Sequence, residues 1–181
     1  MTELHTSRLI LRDVARTDAA NVHGYASDPE VCRYVAWGPN TPEDSEAFVR
    51  QELAVLADPG RTSFNKLVTI AETGEVIGAV ELRILSTAHR RGEFGYVLRR
   101  DEWGKGYATE ASRALVRWGF ERFGLERISA TCDPENKASE NVLQKVGLQY
   151  EGRMRRHLKV RDRWRDSLMF AILSDDDQPA G

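Results

Sequence analysis

Trp103-Gly104-Lys105-Gly106-Tyr107-Ala108-Thr109-Glu110 decides how this chain is read. It follows an apolar run ending at Leu98 and precedes a segment in which Ala111, Ala114, Leu115 and Trp118 recur at helical spacing, so it is a strand-to-helix turn. The first amides of a helix have no partner inside it and stand at the positive end of its dipole, where anions bind. Gly104 and Gly106 clear Cβ atoms from the path of a phosphate oxygen, and Lys105 adds a positive charge nearby. A diphosphate is the natural guest. A Walker A loop would need glycine at Arg99 and a hydroxyl residue at Gly106; a dinucleotide fingerprint would need glycine or alanine at Thr109. Taken alone, the turn is explained equally well as tight packing between a strand and a helix, so the rest of the chain must decide.

Working outward, Leu9-Ile10-Leu11 reads as a first strand, Asp18 starts a helix, and Asp28-Pro29-Glu30 opens a second short helix toward Val35. Thr41-Pro42 caps a helix ending near Ala57. Leu67–Ala71 and Val76–Leu82 flank a glycine-containing turn of hairpin length, and Glu93 to Leu98 continues the meander. Gly95 inside that strand predicts a bulge or a close backbone approach. Beyond the helix that ends at Gly124, Ile128, Ala130 and Cys132 alternate as a strand, and a helix from Lys137 ends at Gly147. Two strands, Leu148 to Lys159 and Arg163 to Leu173, complete a mixed sheet. The pattern predicts one domain over residues 1–173 and a frayed acidic tail over 174–181.

With 181 residues, 41% of them hydrophobic and 30% charged, the chain has the balance of one soluble globular domain. The net charge of −2 disfavours nucleic acid, and the one basic concentration, Arg153 to Arg165, is expected to be a solvated hairpin face. Cys32 and Cys132 suggest neither a disulfide framework nor a zinc site, and the four histidines lack metal-ligand spacing, so no metal is expected. The first residues lack the features of a signal peptide and no apolar run is long enough to span a membrane, which predicts a cytoplasmic protein.

Glu93-Phe94-Gly95-Tyr96-Val97-Leu98, the turn from Trp103 to Glu110, and Pro134-Glu135-Asn136-Lys137-Ala138-Ser139 through Lys145-Val146-Gly147-Leu148 resemble the GNAT acetyltransferase superfamily. With the opening Leu4 to Arg12 and Asp18-Ala19, they look most like its branch of ribosomal-protein N-terminal acetyltransferases. The resemblance covers about residues 4 to 173. It implies an α/β (α+β) GNAT fold, with a largely antiparallel mixed sheet of about seven strands, a bulged central strand and flanking helices. It implies acetyl-CoA, or another acyl-CoA, as co-substrate. Val97 and Leu98 would contact the pantetheine through their backbone, Gly104, Lys105, Gly106, Ala108 and Thr109 would surround the pyrophosphate, and Asn136 and Ser139 would reach the pantetheine and sulfur. Trp103 departs from the family's usual Gln or Arg, and Leu143 stands where many relatives carry a tyrosine acid.

Acyl transfer to an amine needs a neutral nucleophile, a place for the oxyanion and a proton for the departing thiolate. Ser139 is the expected donor to sulfur, and Glu93 on the bulged strand is the candidate base. Some ribosomal-branch members carry a base on the penultimate strand, where this chain has Leu158, with His157 adjacent. Tyr34 and Trp37 are candidates for the acceptor wall. Cys132, on a strand without a placed base, is not expected to act as a nucleophile. The expected enzyme is an acyl-CoA-dependent N-acyltransferase, moving acetyl by direct attack to a primary amine of a peptide or protein N-terminus or of a small molecule. The rival reading is an acyl-CoA-binding regulatory module without turnover. A homodimer is implied by resemblance alone.

Overall fold

The computed structural model describes residues 3–176. The strands are Leu4–His5 (β1), Leu9–Arg12 (β2), Ser63–Ile70 (β3), Val76–Ser86 (β4), Arg91–Leu98 (β5), Arg127–Cys132 (β6), Gln149–Val160 (β7) and Arg163–Leu173 (β8). They form a single eight-stranded sheet in the order β1-β2-β3-β4-β5-β6-β8-β7. Every pairing is antiparallel except β5 with β6. The helices are Ala19–Ala26 (α1), Pro42–Ala57 (α2), Tyr107–Phe123 (α3) and Lys137–Val146 (α4).

Alternation along the strands builds two cores. Val68, Val80, Leu82, Phe94 and Leu98 pack with Ala111 and Leu115 of α3 and Leu143 and Val146 of α4. Leu67, Val76 and Ala79 point the other way, against Val22 and Tyr25 of α1 and Val49 of α2. Because Leu115 is fully buried, truncating it to alanine is expected to cost about 2–5 kcal/mol. The helix boundaries have local causes. Thr41 and Asp44 form a reciprocal capping box with Pro42 at the first helical position of α2, while Gly124 and Gly147 end α3 and α4 in the left-handed conformation.

Three local features differ from the sequence expectation. β1 adds a two-residue strand at the edge, Leu4 opposite Leu11 and His5 opposite Ile10. The second short helix is a 3₁₀ turn, Val31–Tyr34. The bulge expected at Gly95 is absent: Gly95 faces Glu81 in regular register, and the β4–β5 irregularity lies between Ile84 and Ser86. The start of the acidic tail is tied down, since the Ser174 amide donates to the Glu126 carbonyl at 3.1 Å and its hydroxyl to the Glu126 carboxylate at 2.8 Å. Residues 177–181 of that tail lie outside the described residues.

Candidate active site

β5 and β6 pair only through Arg91–Arg127, Gly92–Ile128 and Glu93–Ser129. Beyond Glu93, β5 stays on β4 as far as Leu98, while β6 stays on β8 as far as Cys132. The two central strands therefore diverge and leave backbone edges facing each other across a gap. That fork opens into a cavity of about 1070 Å³. A β5 edge freed from its neighbour can pair with any extended amide-bearing chain laid in the fork.

The phosphate-type turn closes one end of the fork. Gly104 and Gly106 have φ of 77° and 85°, left-handed values that a side chain would strain, and a Cβ on Gly104 would meet nothing within 4 Å. The first helix-type bond of α3 is from the Glu110 amide to the Gly106 carbonyl, 3.1 Å. Among the described residues no protein acceptor takes the amides of Gly104 to Thr109, and no side chain caps the helix. Lys105 turns back instead, its Nζ 3.0 Å from the buried Glu102 carboxylate. It does not line the cavity, whereas Gly104, Gly106, Ala108 and Thr109 do.

The turn is braced from behind. Arg8 donates from Nη1 to the Lys105 carbonyl at 3.0 Å and grips Glu110 through Nε and Nη2 at 2.7 and 2.6 Å. Glu110 also accepts from Thr6 Oγ1, Ser7 Oγ and the Arg8 amide. Burial alone would raise its carboxyl, but these donors together outweigh burial and hold it below the usual carboxylate range. Trp103 donates from Nε1 to the Leu98 carbonyl at 2.9 Å, so this departure from the family pattern supports the turn's entry.

On the α3/α4 face of the fork, Tyr96 donates its phenol hydrogen to Ser139 Oγ at 2.9 Å. Burial pushes the Tyr96 phenol up to about 12, so it remains protonated at neutral pH. With its lone pair accepting from Tyr96, the Ser139 hydroxyl is free to direct its own proton elsewhere. Asn136 caps α4, its Oδ1 accepting from the Ser139 amide at 3.0 Å, which fixes Ser139 at the helix start. Val97, Leu98, Asn136 and Ser139 all line the cavity. Leu143 is 1% exposed and part of the core.

The opposite wall is acidic. Asn65, Glu81 and Gly95 form a cross-strand row, and α2 brings Glu52 to the same cavity. Glu52 is raised to about 6 by burial and by the neighbouring charge of Glu81. Glu81 is held by Ser63 Oγ at 2.7 Å and by Arg83 at 3.1 Å. Glu93, the base candidate from sequence, lies where β5 and β6 are still paired, opposite Ser129 and Arg83, and is not part of the cavity wall. His157 bonds Ser167 at 3.0 Å, and neither it nor Leu158 lines the cavity. Tyr34 and Trp37 do line it. Burial, then Glu140 and Asp133, push the Cys132 thiol up to about 11, which leaves it a poor nucleophile at neutral pH.

Sequence reasoning passed over Tyr96, Glu52 and Glu81. Tyr96 was detectable as the one hydroxyl among Phe94, Tyr96 and Leu98, which alternate onto one face. Glu81 was detectable as the one charge in the apolar run Val76–Leu82. Glu52 carries no such signal, because α2 also bears Glu43 and Glu46 and only tertiary packing selects among them. No group of three or more metal-ligating side chains occurs among the described residues, and no helix of theirs is long and apolar enough to cross a membrane.

The mixed sheet thus parts at its one parallel junction, with the unpartnered amides of a strand-to-helix turn at the fork. Residues 8–149 match the family model described as an acetyltransferase (GNAT) domain. The N-acetyltransferase p20 of Bacillus licheniformis is 36% identical over 173 residues, 96% of this chain and 97% of its own. The spermidine N(1)-acetyltransferase of Escherichia coli K12 is 30% identical over 163 residues, 90% of this chain and 84% of its own. The ribosomal L7/L12 α-N-protein acetyltransferase RimL, solved with coenzyme A, shares the fold with a TM-score of 0.85 at 18% identity, 97% of this chain and all of that one being covered. The chain belongs to the GNAT family of N-acetyltransferases.

Proposed function

We propose that this enzyme transfers acetyl from acetyl-CoA to a primary amine that enters the cleft as a cation. The observation that carries the reading is the fork itself: free turn amides at one end, an unpaired β5 edge along its length, and a hydroxyl pair and two carboxylates on opposite walls. The amides of Gly104 to Thr109 are suited to the pyrophosphate, with Lys105 supplying charge from behind rather than a direct contact. The backbone edge of β5 through Val97 and Leu98 suits the amides of the pantetheine arm.

Glu52 and Glu81 attract the ammonium form and accept its proton, and a carboxylate raised to about 6 is a better base near neutrality than an ordinary one. Glu52 takes the first proton of the ammonium, and the freed lone pair forms a bond to the thioester carbonyl carbon; the nitrogen, now cationic, gives its second proton to Glu81, the carbon–sulfur bond breaks, and Ser139 gives its proton to the leaving thiolate. Tyr96 then passes its proton to Ser139, and solvent reprotonates Tyr96. No covalent enzyme intermediate is required, in keeping with the protonated Cys132. The acidic wall and the spermidine-acetylating relative favour a polyamine over a neutral acceptor.

Free thiol released from acetyl-CoA, measured with spermidine, spermine, an alanine-initiated peptide, a serine-initiated peptide and an aminoglycoside, tests this. Turnover with an amine, fastest with a polyamine, is the expected result. Tight CoA binding with no thiol release from any acceptor would establish the regulatory-module reading instead.

A further inference from the structure

The basic run between Arg153 and Arg165 has no part in the chemistry above, and the structure divides it in two. Arg153 pairs with Asp166 and Lys159 with Asp162, while Arg155 and Arg163 are exposed, as a solvated hairpin face should be. Arg161 and Arg165 behave differently. Arg161 Nη2 donates to the Cys32 carbonyl at 2.9 Å and the Gly38 carbonyl at 3.3 Å, and Nη1 reaches the Arg33 carbonyl at 3.5 Å. Arg165 Nη1 donates to the Tyr34 carbonyl, and its Nε lies 3.5 Å from Asp133.

All four carbonyls belong to the segment from Cys32 to Gly38, which supplies Tyr34, Val35, Ala36 and Trp37 to the cavity wall. That segment is neither helix nor sheet beyond its 3₁₀ turn, and the internal backbone bonds that close on it end at Val35 to Cys32. An irregular loop with few bonds of its own takes the shape its external donors impose, and a planar guanidinium can hold several carbonyls in one geometry. Asp133, the other partner of Arg165, begins the turn into α4: its carboxylate accepts from the Glu135 amide at 2.8 Å and its carbonyl from the Asn136 amide at 2.9 Å. Arg165 therefore links the loop to the turn that presents Ser139.

The backbone at the hairpin tip adds an independent sign. Arg161 and Asp162 have φ of 46° and 64°, the two left-handed positions of a primed turn, where Asn-Gly is the relaxed choice. Arginine in a left-handed conformation is strained, and such strain is retained where a side chain is needed for something other than the turn.

We infer that Arg161 and Arg165 are positioning residues for the acceptor: the β7–β8 hairpin reaches over the cleft and sets the Cys32–Gly38 loop against which the amine binds. This rests on the reading of that wall as the acceptor side. Arg161→Asn separates clamp from turn, because asparagine suits the left-handed site and cannot reach the carbonyls. The variant should melt no lower than the parent. Amide hydrogen exchange over residues 32–38 should quicken about tenfold, with residues 104–109 and 137–146 unchanged. With acetyl-CoA and spermidine, or the fastest amine of the panel above, the KM for the amine should rise about tenfold, while kcat and the Kd for CoA stay within twofold. Arg163→Asn, which removes an exposed charge of the same hairpin, should do none of this. Parental exchange over 32–38, a CoA affinity that falls in step with the amine KM, or the same effects from Arg163→Asn would each overturn the inference. A parent enzyme without turnover would sink the proposed function alone, since the exchange measurement reads the clamp without any ligand.

Discussion

Tyr96 and Ser139 form one hydrogen-bonded pair, the phenol donating to Ser139 Oγ, and the proposed relay runs through both. Tyr96→Phe keeps the ring that packs on the core and removes only the hydroxyl. It should lower kcat about tenfold to a hundredfold, with the Kd for CoA within twofold, by steady-state thiol release and calorimetry. Ser139→Ala should match it, and the double variant should lose little more, since groups in one relay are not additive. Glu52 gives a test with two opposite signs. Its carboxyl is raised above its unfolded value, so its stabilisation is fully present below the unfolded pKa and is lost as pH rises through about 6. Glu52→Gln should therefore be the more stable protein at pH 7.5 by up to about 1 kcal/mol, with solvent screening allowed for. The same change should weaken kcat/KM for the amine and erase its rise with pH near 6. Equal melting temperatures together with an unaltered pH profile would mean that Glu52 is not the base.

In the central pair of strands, Gly95 distinguishes a packing need from a functional one. A Cβ there would meet no protein atom within 4 Å, and the residue is exposed beside Glu81. Gly95→Val suits a strand better than glycine and should leave the melting temperature equal or higher, yet crowd the acidic wall. A loss of stability, or an amine KM at the parental value, would mean that the open space at Gly95 belongs to packing and not to the cleft. The turn after β5 is the converse case, since the left-handed Gly104 and Gly106 are needed for its shape before any ligand arrives. Those elements were legible in sequence because their causes are local: helical spacing in α3, the capping box at Thr41, the paired glycines. The residues from Val97 to Ser139 that the family resemblance assigns to the cofactor all line the cavity except Lys105, because the buried Glu102 that captures it is recognisable only in three dimensions.

Across the assembled sheet, what could not be read was which residues the fold brings together from distant parts of the chain. The parting of β5 from β6 depends on the third contact of a parallel ladder, and alternation along Glu93–Leu98 cannot show where pairing stops. The same holds for the acidic wall, where α2 lays Glu52 in the same cavity as Glu81 of a later strand, and for Arg161, whose acceptors lie more than a hundred residues upstream. Gly95 marked the correct strand, but the opening comes from a lost neighbour and not from a bulge. The molecule's main feature is thus a sheet that is continuous at Glu93 and divided at Leu98, with the amides of Gly104 to Thr109 at the mouth of the division. A crystal structure of the enzyme with coenzyme A measures this directly. Pyrophosphate oxygens should lie within hydrogen-bond reach, about 2.7–3.2 Å, of those amides, with the pantetheine arm between β5 and β6. A nucleotide seated elsewhere, or a fork closed by pairing of Val97 with β6, would contradict it.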